Sequence, residues 1–501
     1  MPGHDTVTRI GSADAPPLEL VVGLCAELRL AGVSYCHWKS NDALHLSANG
    51  VNDLDLLVDR RDVATFLGVL GRMGFKEARP PRHRQMPGVV HYYGLDVPTG
   101  RLVHVDAQAN LQLGDDTTKN VRLPIADAYL ASAEQGPLFR VPAVEFELAV
   151  LVVRLALKHG TWDAALFGLA GLREGERREL DYLWSRADPE MLRDVVETHL
   201  SGVGWSCWSD YCRSLRERQS MMRQLAAGRR LVAALADHAR RPPTLDTAVR
   251  CQRRVQWVAR RYLLRQRNTK RLVPGGAVVA IVGGDGAGKS TAVDGVVSWL
   301  GGPFPVRASH LGKPPRSIAT VLVKGVMFVG RGTGMVRTPW LPNYPAPAEH
   351  GDEFPGYPWL LWQVVTARDR RRQHRRDRRR AARGDIVVCD RFPVPQVTLM
   401  DGSRTRWIPR KGLSRPARLL IELEQRCYAE MSEPDVVMVL RVDPDIAVAR
   451  KRGVDPEVFV RQRSAEVYNA DWGVTDAVVL DAALPSEDVL AQMRPVIWDR
   501  L

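Results

Sequence analysis

Between Leu18 and about Gly136 the chain carries short alternating or apolar runs, DLDLLVD, VVHYYGLDV and RLVHVDAQ, separated by turn residues and helix-like stretches such as DVATFLGVLGRMGF. Alternation with period two marks a strand with one buried face, so this mixture predicts a small α/β domain over 18–137. From about Pro142 the pattern lengthens to helical periodicity, as in EFELAVLVVRLALKHG and RQSMMRQLAAGRRLVAALADHARR, which predicts a helical region over 138–272. Pro274, Gly275 and Gly276 then break the pattern and mark a domain boundary. Beyond them, AVVAIVGGDGAGKSTAVDGVVSWL leads an apolar run through a glycine-rich loop into a helix. DIVVCDRF and PDVVMVLRV have the length and β-branched content of buried parallel strands, which predicts a parallel-sheet α/β domain over 273–501. Residues 1–17, MPGHDTVTRIGSADAPP, predict a flexible tail and not a secretory signal, having no basic start followed by an apolar run. The fold class expected is therefore α/β and multidomain.

Composition adds three constraints. At 501 residues with 45% hydrophobic positions, the chain has material for several real cores and is no disulfide-stapled peptide. Its 71 lysines and arginines against 57 acids give a formal charge of +14, which points to anionic partners without naming them. The seven cysteines are odd in number and nowhere spaced as CxxC, which argues against a disulfide framework or a zinc site and for a reducing, cytoplasmic compartment. No uninterrupted apolar run approaches the ~20 residues of a membrane span.

The sharpest chemical signal is GGDGAGKST at 283–291. Gly283, Gly288, Lys289 and Ser290 fit GxxxxGK[ST], a loop whose backbone N–H groups cradle phosphates while the lysine reaches the outer phosphates and the hydroxyl meets magnesium. Glycines let the backbone curl close to an anion, and the helix N-terminus that follows adds partial positive charge. ATPases, GTPases and kinases all use such a loop, so the reaction must be read from its neighbours.

Those neighbours carry a resemblance. GGDGAGKST, then VVCDRFP at 387–393, then EPDVVMVLRVDPDIAVARKRG at 433–453 resemble, in order, the successive motifs of the thymidylate kinase family. The resemblance covers Gly275 to Leu501 and implies a P-loop kinase fold using ATP and Mg2+. It implies that Gly283, Asp285, Gly286, Gly288, Lys289, Ser290 and Thr291 bind the nucleotide, with Ser290 also on the metal. It further implies that Asp390 and Arg391 face the acceptor and the metal, that Asp285 contacts the acceptor, and that Arg450, Lys451, Arg452, Arg461 and Arg463 border a lid. Arg450 lies nearest the family's pattern, so the catalytic set expected is Lys289, Asp390, Arg391 and Arg450. Two departures stand out: SHLGKPPR at 309–316 replaces an Arg-Glu-Pro-Gly-like segment, and Arg441 stands where an acid is expected. The insert from there to Asp390 is long and rich in proline and tryptophan.

In NDLDLLVD, Asp53 and Asp55 are two apart and share a strand face, with Asp106 of RLVHVDAQ on another strand. With the upstream WKS at 38–40, these acids resemble a nucleotidyltransferase fold, which implies Asp53, Asp55 and Asp106 as metal ligands. Lys39-Ser40 replaces that family's Gly-Ser. His104 is a possible ligand on the same strand face as Asp106, and Trp205 and Trp208 read as core.

The run RDRRRQHRRDRRRAAR at 368–383 is dense in charge but has no interleaved aromatics, which favours a solvated helix face over nucleic acid. The function expected is an Mg-ATP-dependent phosphotransferase acting on a nucleoside monophosphate, dTMP by resemblance. Two alternatives stay open: a kinase of a sugar or polysaccharide hydroxyl, and a nucleotidyltransferase with an accessory P-loop NTPase domain. A non-catalytic nucleotide sensor or nucleic-acid binder is a further one. The partners expected are a nucleotide and a small-molecule or glycan acceptor; oligomeric state is not legible.

Overall fold

The computed structural model describes residues 15–86, 88–115, 117–160, 171–200, 202–263, 269–332 and 356–501. The first fourteen residues of the expected tail and residues 333–355 of the proline- and tryptophan-rich insert lie outside these. The chain divides into two compact units, Met1–Asn268 and Thr269–Leu501.

The first unit holds a mixed sheet of β1 (Tyr35–His37), β2 (Leu54–Val58), β3 (Lys76–Arg79), β4 (Val89–Asp96) and β5 (Arg101–Gln108), in the order β1-β2-β5-β4-β3. Only β2 and β5 pair in parallel; the other pairs are antiparallel. Alternation along β2 and β5 turns Leu54, Leu56, Val58, Val103, Val105 and Ala107 onto the helices Glu19–Leu30 and Val63–Arg72, in one apolar cluster. The residues between them, Asp55, His104 and Asp106, therefore share the opposite face. Helices of this unit surround Val144–His159, nearly every side chain of which is buried, as a central helix requires. Trp208 is fully buried and donates its indole N–H to the Ala149 carbonyl at 3.2 Å, with Trp205 stacked on it.

The second unit is a parallel sheet of β6 (Val278–Gly283), β7 (Val306–His310), β8 (Ile386–Asp390), β9 (Val436–Arg441) and β10 (Val478–Asp481), in the order β7-β8-β6-β9-β10. β6 is buried along its whole length, as a strand covered by helices on both faces must be. The strand order reverses at β6, so a crevice is expected at the carboxyl ends of β6 and β8. The glycine-rich loop and Asp390 lie at those two ends. Among the described residues no helix is long and apolar enough to cross a membrane.

Candidate active site

β6 delivers the chain into the loop 283–288, and the helix Lys289–Leu300 starts immediately after it, capped by Gly288. Gly286 has φ +84°, and a Cβ there would come 2.7 Å from the Ala447 carbonyl oxygen, so this turn admits only glycine. Ser290 and Thr291 lie exposed in the first helical turn, where unpaired N–H groups and the helix dipole favour an anion.

Lys289 folds back over the loop and donates from Nζ to the carbonyl oxygens of Gly283 at 2.9 Å and Gly284 at 2.6 Å. Burial, reinforced by the charge of Arg391, lowers its pKa to about 8 against the attraction of Asp285, Asp390 and Asp401. Asp285 is clamped by two guanidiniums: Arg391 donates to Oδ1 at 2.8 Å and Arg463 to Oδ2 at 2.7 Å. Burial alone would raise this carboxyl, but the Arg463 hydrogen bond and the charges of Arg391 and Lys289 outweigh it and hold it below the ordinary range.

Arg391 has φ +62°, a left-handed conformation that costs a non-glycine residue free energy. Its side chain is held by Asp285, and its N–H donates to the Ile281 carbonyl at 3.2 Å. Beside it, Asp390 has one oxygen 3.8 Å from His310 Nδ1, while the other, Oδ1, is buried with no hydrogen-bond partner. A buried carboxylate oxygen without a partner is a place for a cation or a donor to arrive.

The expected residues converge except at the lid. Arg450 donates to the Ala482 carbonyl at 2.8 Å and also to those of Ala483 and Gly286, so its guanidinium is occupied by backbone. Arg463, on the helix Glu457–Asn469, is instead the arginine of that group that reaches Asp285. Arg461 pairs with Asp445 and Lys451 with Asp455. Arg441 stacks over the Tyr468 ring.

Two residues escaped the sequence reading. Asp401 is almost fully buried, and burial raises its pKa against the opposing charges of Arg370, Arg391 and Lys289. Gly312 follows β7, and a Cβ there would lie 2.6 Å from Arg391 Cδ and 3.1 Å from Asp401 Oδ1. The segment that replaces the family's second-strand motif thus contains the glycine that lets Arg391 and Asp401 approach. No local spacing flags either residue, since DGSR and LGKP read as ordinary turns.

In the first unit, Asp55 and Asp106 pair in register on neighbouring parallel strands. Lys39 Nζ sits 2.8 Å from Asp55, and His104 Nδ1 lies 2.8 Å from Asp53. His104 also reaches His91 at 3.3 Å and stacks on Tyr93. Burial and the charge of Asp55 push the Asp106 carboxyl up, with Lys39 opposing them. The structure sets Asp55 and Asp106 side by side, with the Lys39 ammonium beside Asp55 and His104 beside Asp53, so a divalent cation at these acids would compete with Lys39 for Asp55. Among the described residues no group of three or more His, Cys, Asp or Glu side chains is disposed to hold a metal ion. Ser40 has φ +59° and is tied through its N–H to Glu179.

No family model matches the chain. A thymidylate kinase of Chromohalobacter salexigens is 30% identical over 240 residues, which cover 45% of this chain and 97% of that protein. An uncharacterized ATP-binding protein of Escherichia coli strain K12 is 24% identical over 241 residues, 45% of this chain and 87% of its own. Among solved structures, a thymidylate kinase from Candida albicans matches 44% of this chain and 91% of its own at 17% identity, with a TM-score of 0.30.

Proposed function

Because the chain belongs to the thymidylate kinase family through its P-loop part, we propose that its second unit transfers the terminal phosphoryl group of ATP, with magnesium, to a nucleoside monophosphate, thymidylate by resemblance. The observation that carries this reading is the Arg391–Asp285–Arg463 clamp, which fixes two guanidiniums beside the buried Lys289 ammonium at the mouth of the phosphate loop.

The loop amides and the first turn of Lys289–Leu300 bind the donor phosphates, and Lys289 turns from the Gly283 and Gly284 carbonyls to the outer phosphates. Arg391 binds the acceptor phosphate, for which a planar fork gives two parallel hydrogen bonds. An acceptor phosphate oxygen attacks the terminal phosphorus, the bond to the bridging oxygen of ADP breaks, and the released charge falls on groups already oriented by Asp285. Asp285 touches the acceptor or its arginines, and Asp401 sets the field around Arg391. Magnesium fits the residues present: the exposed Ser290 hydroxyl and the unpartnered Asp390 Oδ1 would hold it, as hydroxyl and carboxylate ligands commonly do beside phosphates. When bound it neutralises charge between the outer phosphates. In this reading Arg450 acts from its backbone contacts, positioning the loop at Gly286.

A sugar or polysaccharide hydroxyl is a second reading, favoured by the LGKPPR segment at 311–316 in place of the family's motif. Nucleotidyl transfer by the first unit is a third reading, less favoured because Lys39 is paired with Asp55 and His104 with Asp53. We propose that unit as a nucleotidyltransferase-like fold, and a cytoplasmic location for an ATP user with seven free cysteines.

The test is transfer of label from terminally labelled ATP with magnesium to nucleoside monophosphates, sugars and oligosaccharides, comparing wild type with Lys289→Ala. Label on thymidylate that disappears in the variant supports the first reading, and label on a carbohydrate supports the second. No transfer by either protein would sink both.

A further inference from the structure

The helix Ile318–Gly332 presents its apolar side to solvent. Ile318, Val321, Leu322, Val326 and Phe328 are all exposed, Ile318 by 81% and Phe328 by 78%. At 100° per residue these positions fall on one face, opposite Thr320. Thr320 is the buried one, and its hydroxyl donates to Asp369 at 2.6 Å, while the Ser317 N–H donates to the same carboxylate oxygen at 3.0 Å. Asp369 is itself buried on the helix Tyr357–Ala381. The polar side of Ile318–Gly332 is thus bolted inward, and its rotation with the apolar stripe outward is fixed by hydrogen bonds.

The neighbouring helix supplies charge. Arg368, Arg372, Arg376 and Arg379, spaced by four, four and three, form one exposed stripe, and among the described residues none of them has a carboxylate partner. The interspersed arginines differ: Arg371 and Arg375 pair with Glu430 and Arg378 with Asp435. A groove of about 750 Å³ is lined by Ser317 and Ile318 and by the four unpaired arginines, together with the paired Asp369, Arg371 and Arg375. Lys313, Arg316 and Lys324 add further exposed cations at and before the apolar helix.

We propose that this face docks on an anionic phospholipid bilayer, with Leu322, Val326 and Phe328 entering the headgroup–acyl boundary and the arginine stripe binding lipid phosphates. Exposed apolar helix and adjacent unpaired cations match the two layers of such a surface, acyl chain and phosphate, side by side. A nucleic acid would use the arginines but leave the apolar stripe wet, and a neutral partner would use the stripe but leave the arginines uncompensated. The surface is peripheral and separate from any span. This inference does not depend on which acceptor the kinase site takes.

The experiment is co-sedimentation of the full chain with phosphatidylcholine vesicles, with and without phosphatidylglycerol, for wild type and two variants. One replaces Arg368, Arg372, Arg376 and Arg379 by Gln; the other carries Leu322→Ser and Phe328→Ser. Wild type should bind only vesicles containing phosphatidylglycerol, more weakly as salt rises. Each arginine removed should weaken binding roughly fivefold, and the apolar pair should weaken it at least tenfold. Thermal melts of both variants should match wild type, which separates loss of docking from loss of folding. The proposal fails if wild type ignores phosphatidylglycerol vesicles. It fails equally if the apolar variant binds them undiminished and an oligonucleotide competes, which would describe a polyanion site. A fall in melting temperature or a changed oligomeric state in the apolar variant would show the stripe covered by protein, and would also overturn it.

Discussion

Arg391 and Asp285 meet at 2.8 Å although they stand on loops that leave two different parallel strands, β8 and β6. The contact couples the phosphate loop to the acceptor side, and it holds Arg391 in a left-handed backbone conformation that a free arginine would avoid. Arg463 completes the clamp from the opposite oxygen.

Asp285→Asn keeps the size of the side chain but gives one guanidinium an amide donor to face. A charge-assisted hydrogen bond contributes about 1.5–3 kcal/mol, so kcat should fall roughly tenfold to a hundredfold, with a smaller change in KM for ATP. Steady-state kinetics beside a thermal melt checks this. Unchanged kcat would show that Arg391 needs no positioning by Asp285.

Burial sets the Lys289 amine at about pH 8, below its ordinary value of 10.5. The free protein therefore loses this charge as pH rises through 8, and kcat/KM for ATP should fall above that pH. Bound triphosphate restores the proton, so kcat should show the limb later or not at all. Lys289→Arg, permanently charged, should lose the limb even at reduced activity. The stability sign is opposite: between pH 8 and 10.5 the unfolded chain binds the extra proton, so this group's contribution to stability rises with pH.

Gly312→Ala would place a methyl 2.6 Å from Arg391 Cδ and 3.1 Å from Asp401 Oδ1. Arg391 must then move, and with it the His310 ring, whose Cε1 would lie 3.0 Å from the methyl; the three nearest atoms are thus all on the acceptor side and none is in the loop at 283–288. KM for the acceptor should rise about tenfold, the scale of one displaced hydrogen bond, with KM for ATP nearly unchanged. Equal rises in both would place Gly312 in the fold and not at the acceptor.

Lys39→Ala leaves Asp55 and Asp106 facing each other without the ammonium. The pair is partly exposed, so losing its charged hydrogen bond should cost about 1.5–3 kcal/mol, read in denaturant unfolding of the full chain. With the ammonium gone, the acids have room for a divalent cation, so added Mg2+ should raise the variant's melting temperature and leave wild type unmoved. An equal response in both proteins would contradict the assignment of Lys39 as the occupant of that place.

The sequence by itself determined what depends on neighbouring residues. The phosphate loop is nine consecutive positions whose glycines, lysine and hydroxyls act through local backbone, and the buried parallel strands announce themselves because both faces must be apolar. The period-two spacing likewise placed Asp53 and Asp55 on one strand face, whereas the register of β2 on β5 decided that Asp106 stands beside Asp55. Tertiary structure decided everything that required distant segments to meet. Asp401 and Gly312 sit in turns with no motif, and they reach the site only because β7 and β8 pair in parallel. Arg463 and Arg450 lie in one basic stretch that spacing cannot rank; the direction each helix presents gives Arg463 to Asp285 and Arg450 to backbone carbonyls. Lys39 and Asp55 lie on adjacent chain segments sixteen residues apart, with β1 and β2 antiparallel, and their ion pair is a contact that no spacing announces. Chemistry carried by local spacing is written in the chain, whereas chemistry carried by charge compensation is settled only when folding brings the partners together.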